Sequence, residues 1–367
     1  MRVLIINSVC GIKSTGRICT DLANEFEKNG NEVKIAYGRD TVPEEYVKYA
    51  VKIGSDFDLR LHGVKSRLFD RHGLGSARPT RKFLKWADKF DPDVLWLHNL
   101  HGYYINYKLL FNWIKSRPEM KVKWTLHDCW AFTGHCTHFT YVNCDKWQSG
   151  CEHCPQLKEY PKSIWRDNSH SNFDQKKVSF TGVKNMSVIT PSNWLSDLAK
   201  KSFLGEYRIE TIKNKIDTTV FKPTFSDFRK NNNLQSKRII LGVASEWTEK
   251  KGLNDFIKLS GMLNENHEIV LVGTLAQKSP ILPNNILFLG RTESKKKLAE
   301  IYTAADVFVN LTYEDTSSCV NLEAQACGTP VFTYDTGGCP ETIYTKNSKI
   351  VKTGNLLEIR DLIFTLQ

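Results

Sequence analysis

No run in this chain approaches the about twenty consecutive apolar residues that a membrane-spanning helix needs. The apolar opening, residues 3–6, is also too short for a secretory leader and stops at Asn7 as a first strand would. A cytoplasmic protein is therefore expected. There is no internal repeat and no low-complexity tract. A Walker loop is missing too: neither GKS nor GKT occurs, and Cys10-Gly11-Ile12-Lys13-Ser14-Thr15-Gly16-Arg17 lacks the spacing of a dinucleotide fingerprint.

What is present describes a globular protein with a charge imbalance. The 367 residues are enough for two domains of ordinary size. Hydrophobic residues make up 41% and charged residues 25%, both usual for a globular chain, and the mean hydropathy is −0.39. Lys and Arg number 51 against 40 Asp and Glu, a formal charge of +11 that calls for an anionic partner: a sugar nucleotide, an anionic lipid surface or a nucleic acid. The ten cysteines of a cytoplasmic chain are not expected to form structural disulfides.

The chain opens as strand 3–7, glycine loop 11–16, helix 18–28 and strand 33–36, a βαβ unit. The loop is expected to place a helix N-terminus at Thr15 and Gly16, where it can approach a ligand. From Arg60 to Lys85 cations interleave with Leu61, Val64, Leu68, Phe69, Leu74, Phe83 and Leu84, a composition suited to an anionic bilayer surface. Strand 94–98 delivers His98 and His101, and strand 122–126 delivers His127 and Asp128, at the strand ends where open α/β sheets bind ligands. Cys136, Cys144, Cys151 and Cys154 follow within an insertion at 129–155. Cys151 and Cys154 form a C-x-x-C knuckle, and the four thiolates could hold a structural zinc or a [4Fe-4S] cluster.

Residues 314–343, EDTSSCVNLEAQACGTPVFTYDTGGCPETI, combine several signals. Thr316, Ser317 and Ser318 are N-cap types, residues 320–327 can be helical, Gly328 is a left-handed stop and Pro330 forbids continuation. The start of such a helix is a ready site for a diphosphate. Glu323 can accept hydrogen bonds from a ribose diol, with Glu314 or Asp315 on the other side of the phosphate position. A second basic loop, Lys250-Lys251-Gly252, follows strand 238–243.

This stretch resembles the signature of glycosyltransferase family 4, retaining sugar-nucleotide transferases of GT-B architecture. Asp315 and Glu323 carry the spacing of the family's two acids, Ala326-Cys327-Gly328-Thr329-Pro330-Val331 matches, and Gly337-Gly338-Cys339-Pro340-Glu341 follows. The run from His127 to Pro155 resembles a bacterial exopolysaccharide and colanic-acid-type subgroup. The resemblance implies two doubly wound Rossmann-like α/β domains facing a cleft. These are an acceptor-side domain at 1–205 and a nucleotide-binding domain at 206–367, whose last helix returns to the first. It implies that the first acid, Glu314 or Asp315, and His127 hold the donor sugar, and that Glu323 holds the ribose. Lys251 grips the diphosphate, with Lys250 replacing the family's absent Arg, beside Gly16, Ser317 and Ser318. His98, His101 and Asp128 fall on the acceptor side. No catalytic metal is implied.

The function expected is retaining transfer from a nucleoside diphosphate sugar to a glycan or lipid-linked glycan in capsule or exopolysaccharide synthesis, at the inner face of the plasma membrane. The alternatives are a sugar-nucleotide epimerase of the same fold and a metal-organised nucleic-acid binder. The second leaves Glu323 and Gly337-Gly338 without a role, so nucleic acid is not expected.

Overall fold

The structure, a computed structural model, describes residues 1–276 and 279–366. The chain divides into two compact units, Met1–Ile212 and the residues from Lys213 onward.

The first unit contains β1 (Arg2–Ile6), α1 (Lys13–Lys28), β2 (Glu32–Tyr37), β3 (Ala50–Lys52), α2 (Asp56–Phe69), α3 (Ala77–Phe90), β4 (Val94–Leu97), α4 (Tyr107–Lys115), β5 (Lys121–Thr125), α5 (Ser169–Phe180), β6 (Met186–Thr190), α6 (Asn193–Lys201) and β7 (Arg208–Thr211). Its sheet order is β3-β2-β1-β4-β5-β6-β7, with every pair parallel. Parallel strands are reached only by crossover connections, so helices cover both faces and the strands are apolar on both sides. β1 illustrates this: Leu4 and Ile6 enter one core with Leu95, Leu97 and Trp124, while Val3 and Ile5 enter another with Cys19, Ala23 and Ile35. The unit reaches Ile212, beyond the expected break after residue 205, because β7 pairs with β6 from Ser187–Arg208 to Thr190–Thr211.

The second unit contains α7 (Phe228–Asn231), β8 (Arg238–Val243), α8 (Leu253–Ser260), β9 (His267–Val272), β10 (Ile286–Phe288), α9 (Lys295–Ala304), β11 (Val307–Asn310), α10 (Cys319–Ala326), β12 (Val331–Tyr334), β13 (Lys349–Val351) and α11 (Leu356–Phe364). Its parallel sheet has the order β10-β9-β8-β11-β12-β13. Ile239 and Leu241 face one core and Ile240 the other. The closing helix α11 packs on α8, burying Ile359 and Ile363 with Phe256 and Leu259 in the core of its own unit. Among the described residues no helix is long and apolar enough to cross a membrane.

Phe180, at the end of α5, is fully buried where Tyr107, Phe111, Trp124 and Trp130 converge, with ring centroids 4.6 to 6.3 Å away. It ties the segment after the cysteines to the sheet. Truncation leaves a cavity that four rigid rings cannot close. Phe180→Ala is expected to destabilise the first unit by about 3–5 kcal/mol in urea unfolding.

Candidate active site

In each sheet the strand order reverses once, between β1 and β4 in the first unit and between β8 and β11 in the second. The loops leaving the carboxyl ends of those strands diverge there, opening a crevice. The predicted functional residues concentrate at these two places.

In the second unit the loop after β8 supplies Lys250 and Lys251 and the loop after β11 supplies Glu314 and Asp315. The two loops are tied together. The Lys250 carbonyl accepts from the Tyr313 amide at 2.8 Å and from Thr312 Oγ1 at 3.4 Å. Gly252 has φ +79, and a β-carbon there would overlap the Leu311 carbonyl, so the basic loop lies flush against the end of β11. Lys250 Nζ pairs with Glu314 Oε2 at 3.3 Å. Lys251 Nζ reaches Asp315 Oδ2 and the Glu314 carbonyl, each at 3.2 Å. Burial alone would depress the Lys251 ammonium, but Asp315 and the groups around it raise it above its ordinary value, so it stays charged.

The expected helix at 320–327 is α10, one residue earlier at each end, and Gly328 stops it at φ +87. Ser318 occupies the N-cap position, but its hydroxyl accepts from Asn310 Nδ2 at 3.0 Å and does not cap the first turn. Ser317 donates its amide to Asp315 Oδ1 at 3.1 Å. The start of α10 therefore presents backbone N–H groups beside two lysines, an arrangement that suits an anion. One turn further on, Glu323 Oε2 accepts from the buried Tyr302 hydroxyl at 3.1 Å, which orients the carboxylate. The glycine pair closes the other flank. The Gly338 amide donates to the Asp315 carbonyl at 3.1 Å, and Gly337, at φ +56, passes so near this oxygen that a β-carbon would overlap it.

Sequence reasoning missed the polar scaffold behind these groups. Asn310 Nδ2 also reaches Asn321 Oδ1 at 2.8 Å, and Asn321 Nδ2 donates to Thr342 Oγ1 at 3.0 Å. Gln325 bonds to the carbonyls of Asn321 and Thr342 at 2.8 and 2.9 Å. Asp255, buried on α8, accepts from the hydroxyls of Tyr313 and Tyr334 at 2.6 and 2.8 Å. Single polar residues inside apolar runs were the available signal.

In the first unit His98 and His127 stack with centroids 5.2 Å apart, and His98 Nδ1 lies 2.9 Å from His127 Nε2. Burial holds both imidazoles down, His127 to about 4. His101 Nε2 lies 2.7 Å from Asp128 Oδ2, and its Nδ1 lies 3.1 Å from the Tyr160 hydroxyl. Burial would raise the Asp128 carboxyl, but the facing His101 ring brings it to about 2. Asn7, at the end of β1, accepts the Asn99 amide at 3.2 Å and so fixes the turn that carries these histidines. α1 begins at Lys13, two residues before the expected start, and Gly16 is buried in its first turn against Val9 and Gly11.

Cys136, Cys144, Cys151 and Cys154 line one small cavity with His135 and Trp147. Three of the four thiols have partners there. Cys136 and Cys154 form a hydrogen-bonded thiol pair that brings Cys154 down to about 7. Cys151 accepts the Gly134 amide at 3.1 Å, and His135 Nδ1 is 2.6 Å from Asp70 Oδ1. Among the described residues no group of three or more His, Cys, Asp or Glu could hold a metal ion, so neither the expected zinc nor a cluster has an assembled ligand set. The segment is organised instead by Lys176. This lysine is fully buried and donates to the carbonyls of Trp130 and Thr133 at 2.6 and 2.8 Å, and burial brings it down to about 7.

The histidine pair makes stability depend on pH. His98 and His127 stay neutral in the folded chain but take up protons near pH 6.5 when unfolded. Their contribution is complete above about 6.5 and is lost as pH falls towards about 4. Unfolding free energy is expected to fall by roughly 1–3 kcal/mol between about pH 7 and 4.5. His127→Gln should flatten part of that slope in urea titrations; an unchanged slope would contradict the assignment.

The chain matches known proteins in sequence and in fold. Residues 15–220 match the family model described as Glycosyltransferase Family 4, and residues 224–362 match Glycosyl transferases group 1. The Escherichia coli (strain K12) protein WcaC, named as a glycosyl transferase of colanic acid biosynthesis, is 27% identical over 339 residues, spanning 89% of this chain and 80% of WcaC. Sucrose-phosphate synthase from Thermosynechococcus elongatus superimposes with a TM-score of 0.71 at 15% identity, covering 99% of this chain and 88% of that one. Anabaena HepE, solved with UDP and with UDP-glucose, gives a TM-score of 0.65 in its UDP complex at 16% identity, covering 100% and 89%. The two Rossmann-like units are those of the GT-B fold, and the protein is a glycosyltransferase. The chain belongs to glycosyltransferase family 4.

Proposed function

We propose that this enzyme transfers a sugar, with retention at the anomeric carbon, from a nucleoside diphosphate sugar to a hydroxyl of a glycan or lipid-linked glycan in cell-surface polysaccharide synthesis. It would act in the cytoplasm at the inner face of the membrane. The observation that carries this reading is the start of α10 beside Lys250 and Lys251, with Glu323 one turn along. The diphosphate of a donor needs that pairing of backbone N–H groups and ammonium ions, and a ribose needs a carboxylate at that remove. The UDP and UDP-glucose complexes of HepE support a nucleotide-sugar donor, and the colanic acid role named for WcaC supports a polysaccharide acceptor.

In this reading the bond from the anomeric carbon to the diphosphate oxygen breaks as the sugar takes on oxocarbenium character, the acceptor oxygen bonds to that carbon, and the acceptor's proton passes to the departing diphosphate. Negative charge grows on the leaving diphosphate. Lys251, Lys250 and the start of α10, including Ser317 and Ser318, meet it without reorganising solvent, which is where such a site lowers the barrier. In the free enzyme Glu314 and Asp315 hold the two ammonium groups in place. A bound diphosphate would compete for those cations and leave one of the acids to face the sugar. The acceptor-side groups are His98, His101 and Asp128, with His127 on the donor sugar.

Lys251→Ala is expected to lower kcat by about 10²–10³, the usual cost of removing one preorganised charge stabiliser. Glu323→Gln should instead raise KM for the donor with a smaller effect on kcat, because a ribose contact is made equally in ground and transition states. The test is a thermal-shift panel of UDP, GDP, ADP and TDP with their sugars, with and without EDTA, followed by NMR of the product anomer. Stabilisation by one nucleotide in EDTA and a retained anomer are expected. No response to any nucleotide, or an inverted product, would overturn the reading.

A further inference from the structure

α2 turns most of its apolar surface outward. Its buried residues are His62, Gly63 and Ser66; His62 Nε2 accepts the amides of Gly73 and Gly75 at 3.2 and 3.1 Å, and its ring meets Tyr103 edge-on at 5.8 Å. Leu59, on the buried side, packs against the core, but Phe57, Leu61, Val64 and Leu68 are exposed, Phe57 to 73%. At 3.6 residues per turn these four fall within about 60° of arc, opposite the buried face. A helix that only supports a fold turns such a stripe inward. α3 does this: Phe83, Leu84 and Ala87 are buried. The outward stripe on α2 is therefore not explained by the core.

A second element extends the patch. The Ile164 amide donates to the Arg67 carbonyl at 2.7 Å, which fixes the loop holding Ile164 and Trp165 at the end of α2. Trp165 is 77% exposed and Ile164 65%. Cations border the apolar groups. On the helix, Arg60 and Arg67 flank one side of the stripe and Lys65 the other, and Lys162 and Arg166 bracket the loop. At the start of α2 an open cavity of about 600 Å³ is lined by Lys52, Arg78 and Lys82.

We propose that the exposed face of α2, together with the Ile164–Trp165 loop, docks on an anionic lipid bilayer. The four apolar side chains and the indole would enter the headgroup boundary, and the flanking cations would meet lipid phosphates. A long apolar stripe between rows of Lys and Arg, with an aromatic ring at its end, is the pattern of an interfacial helix. Charge decides the occupant. A second copy of the chain would bring cationic rims against each other, whereas an anionic membrane complements both rims and the +11 net charge.

Vesicle binding needs neither donor nor turnover, so this surface stands or falls separately from the transferase reading. Flotation of the full chain with phosphatidylcholine vesicles, with and without phosphatidylglycerol, tests it. Binding is expected only with phosphatidylglycerol, weakening as salt rises. The combined variant Phe57→Ser, Leu61→Ser, Val64→Ser and Leu68→Ser should bind at least about tenfold more weakly, with no loss of melting temperature. Arg60→Glu with Lys65→Glu and Arg67→Glu should do the same without touching the stripe. Quenching by brominated lipid should fall in Trp165→Phe. Absence of wild-type binding, equal binding by the stripe variant, or a solution dimer that only the stripe variant loses would overturn the proposal.

Discussion

Every strand pair in both sheets is parallel, and the rest of the structure follows from this constraint. Parallel strands must be joined by crossovers, so all of their carboxyl ends within a sheet reach the same edge. That edge collects Asn7, His98 and His127 in the first unit and Lys250, Lys251, Glu314 and Asp315 in the second. The single reversal of strand order then parts the loops where those residues stand. No tight packing of remote sequence is needed to assemble either group. It needs only strands of matched length and helices that cover both faces.

The second unit solves the harder problem, holding two ammonium groups side by side at the end of its sheet. Glu314 and Asp315 neutralise Lys250 and Lys251, and the Asp255 and Asn321 networks fix the loops carrying all four. Buried polar groups of this kind are costly unless every partner is in place. Here they hold the two loops and their four charged side chains in one arrangement. The first unit uses neutral groups at the corresponding edge, with buried imidazoles kept uncharged beside the His101–Asp128 pair.

Most of the fold was legible in the sequence because short continuous apolar runs and glycine stops mark buried parallel strands and helix ends strongly. The motif at 314–343 was legible for the same reason: N-cap types, a left-handed glycine and a proline bound α10 to within one residue. Three things were not legible. The expected break at 205 missed β7, because four short residues at a sheet edge carry little pattern. The cysteine spacing pointed to a metal, yet what organises that segment is Lys176, whose role depends on carbonyls more than forty positions away. The basic stretch from 60 to 85 read as one surface segment. It is two helices, one turning its apolar stripe outward and the other inward, a choice set by their neighbours and not by their own residues.

The most direct measurement is a crystal structure of the enzyme with the nucleoside diphosphate that stabilises it best. The account predicts the diphosphate at the first turn of α10, within hydrogen-bonding distance of its backbone N–H groups and of Lys251, with the ribose hydroxyls on Glu323. A diphosphate bound elsewhere, or Glu323 still engaged only by Tyr302 with the ribose directed away, would contradict it.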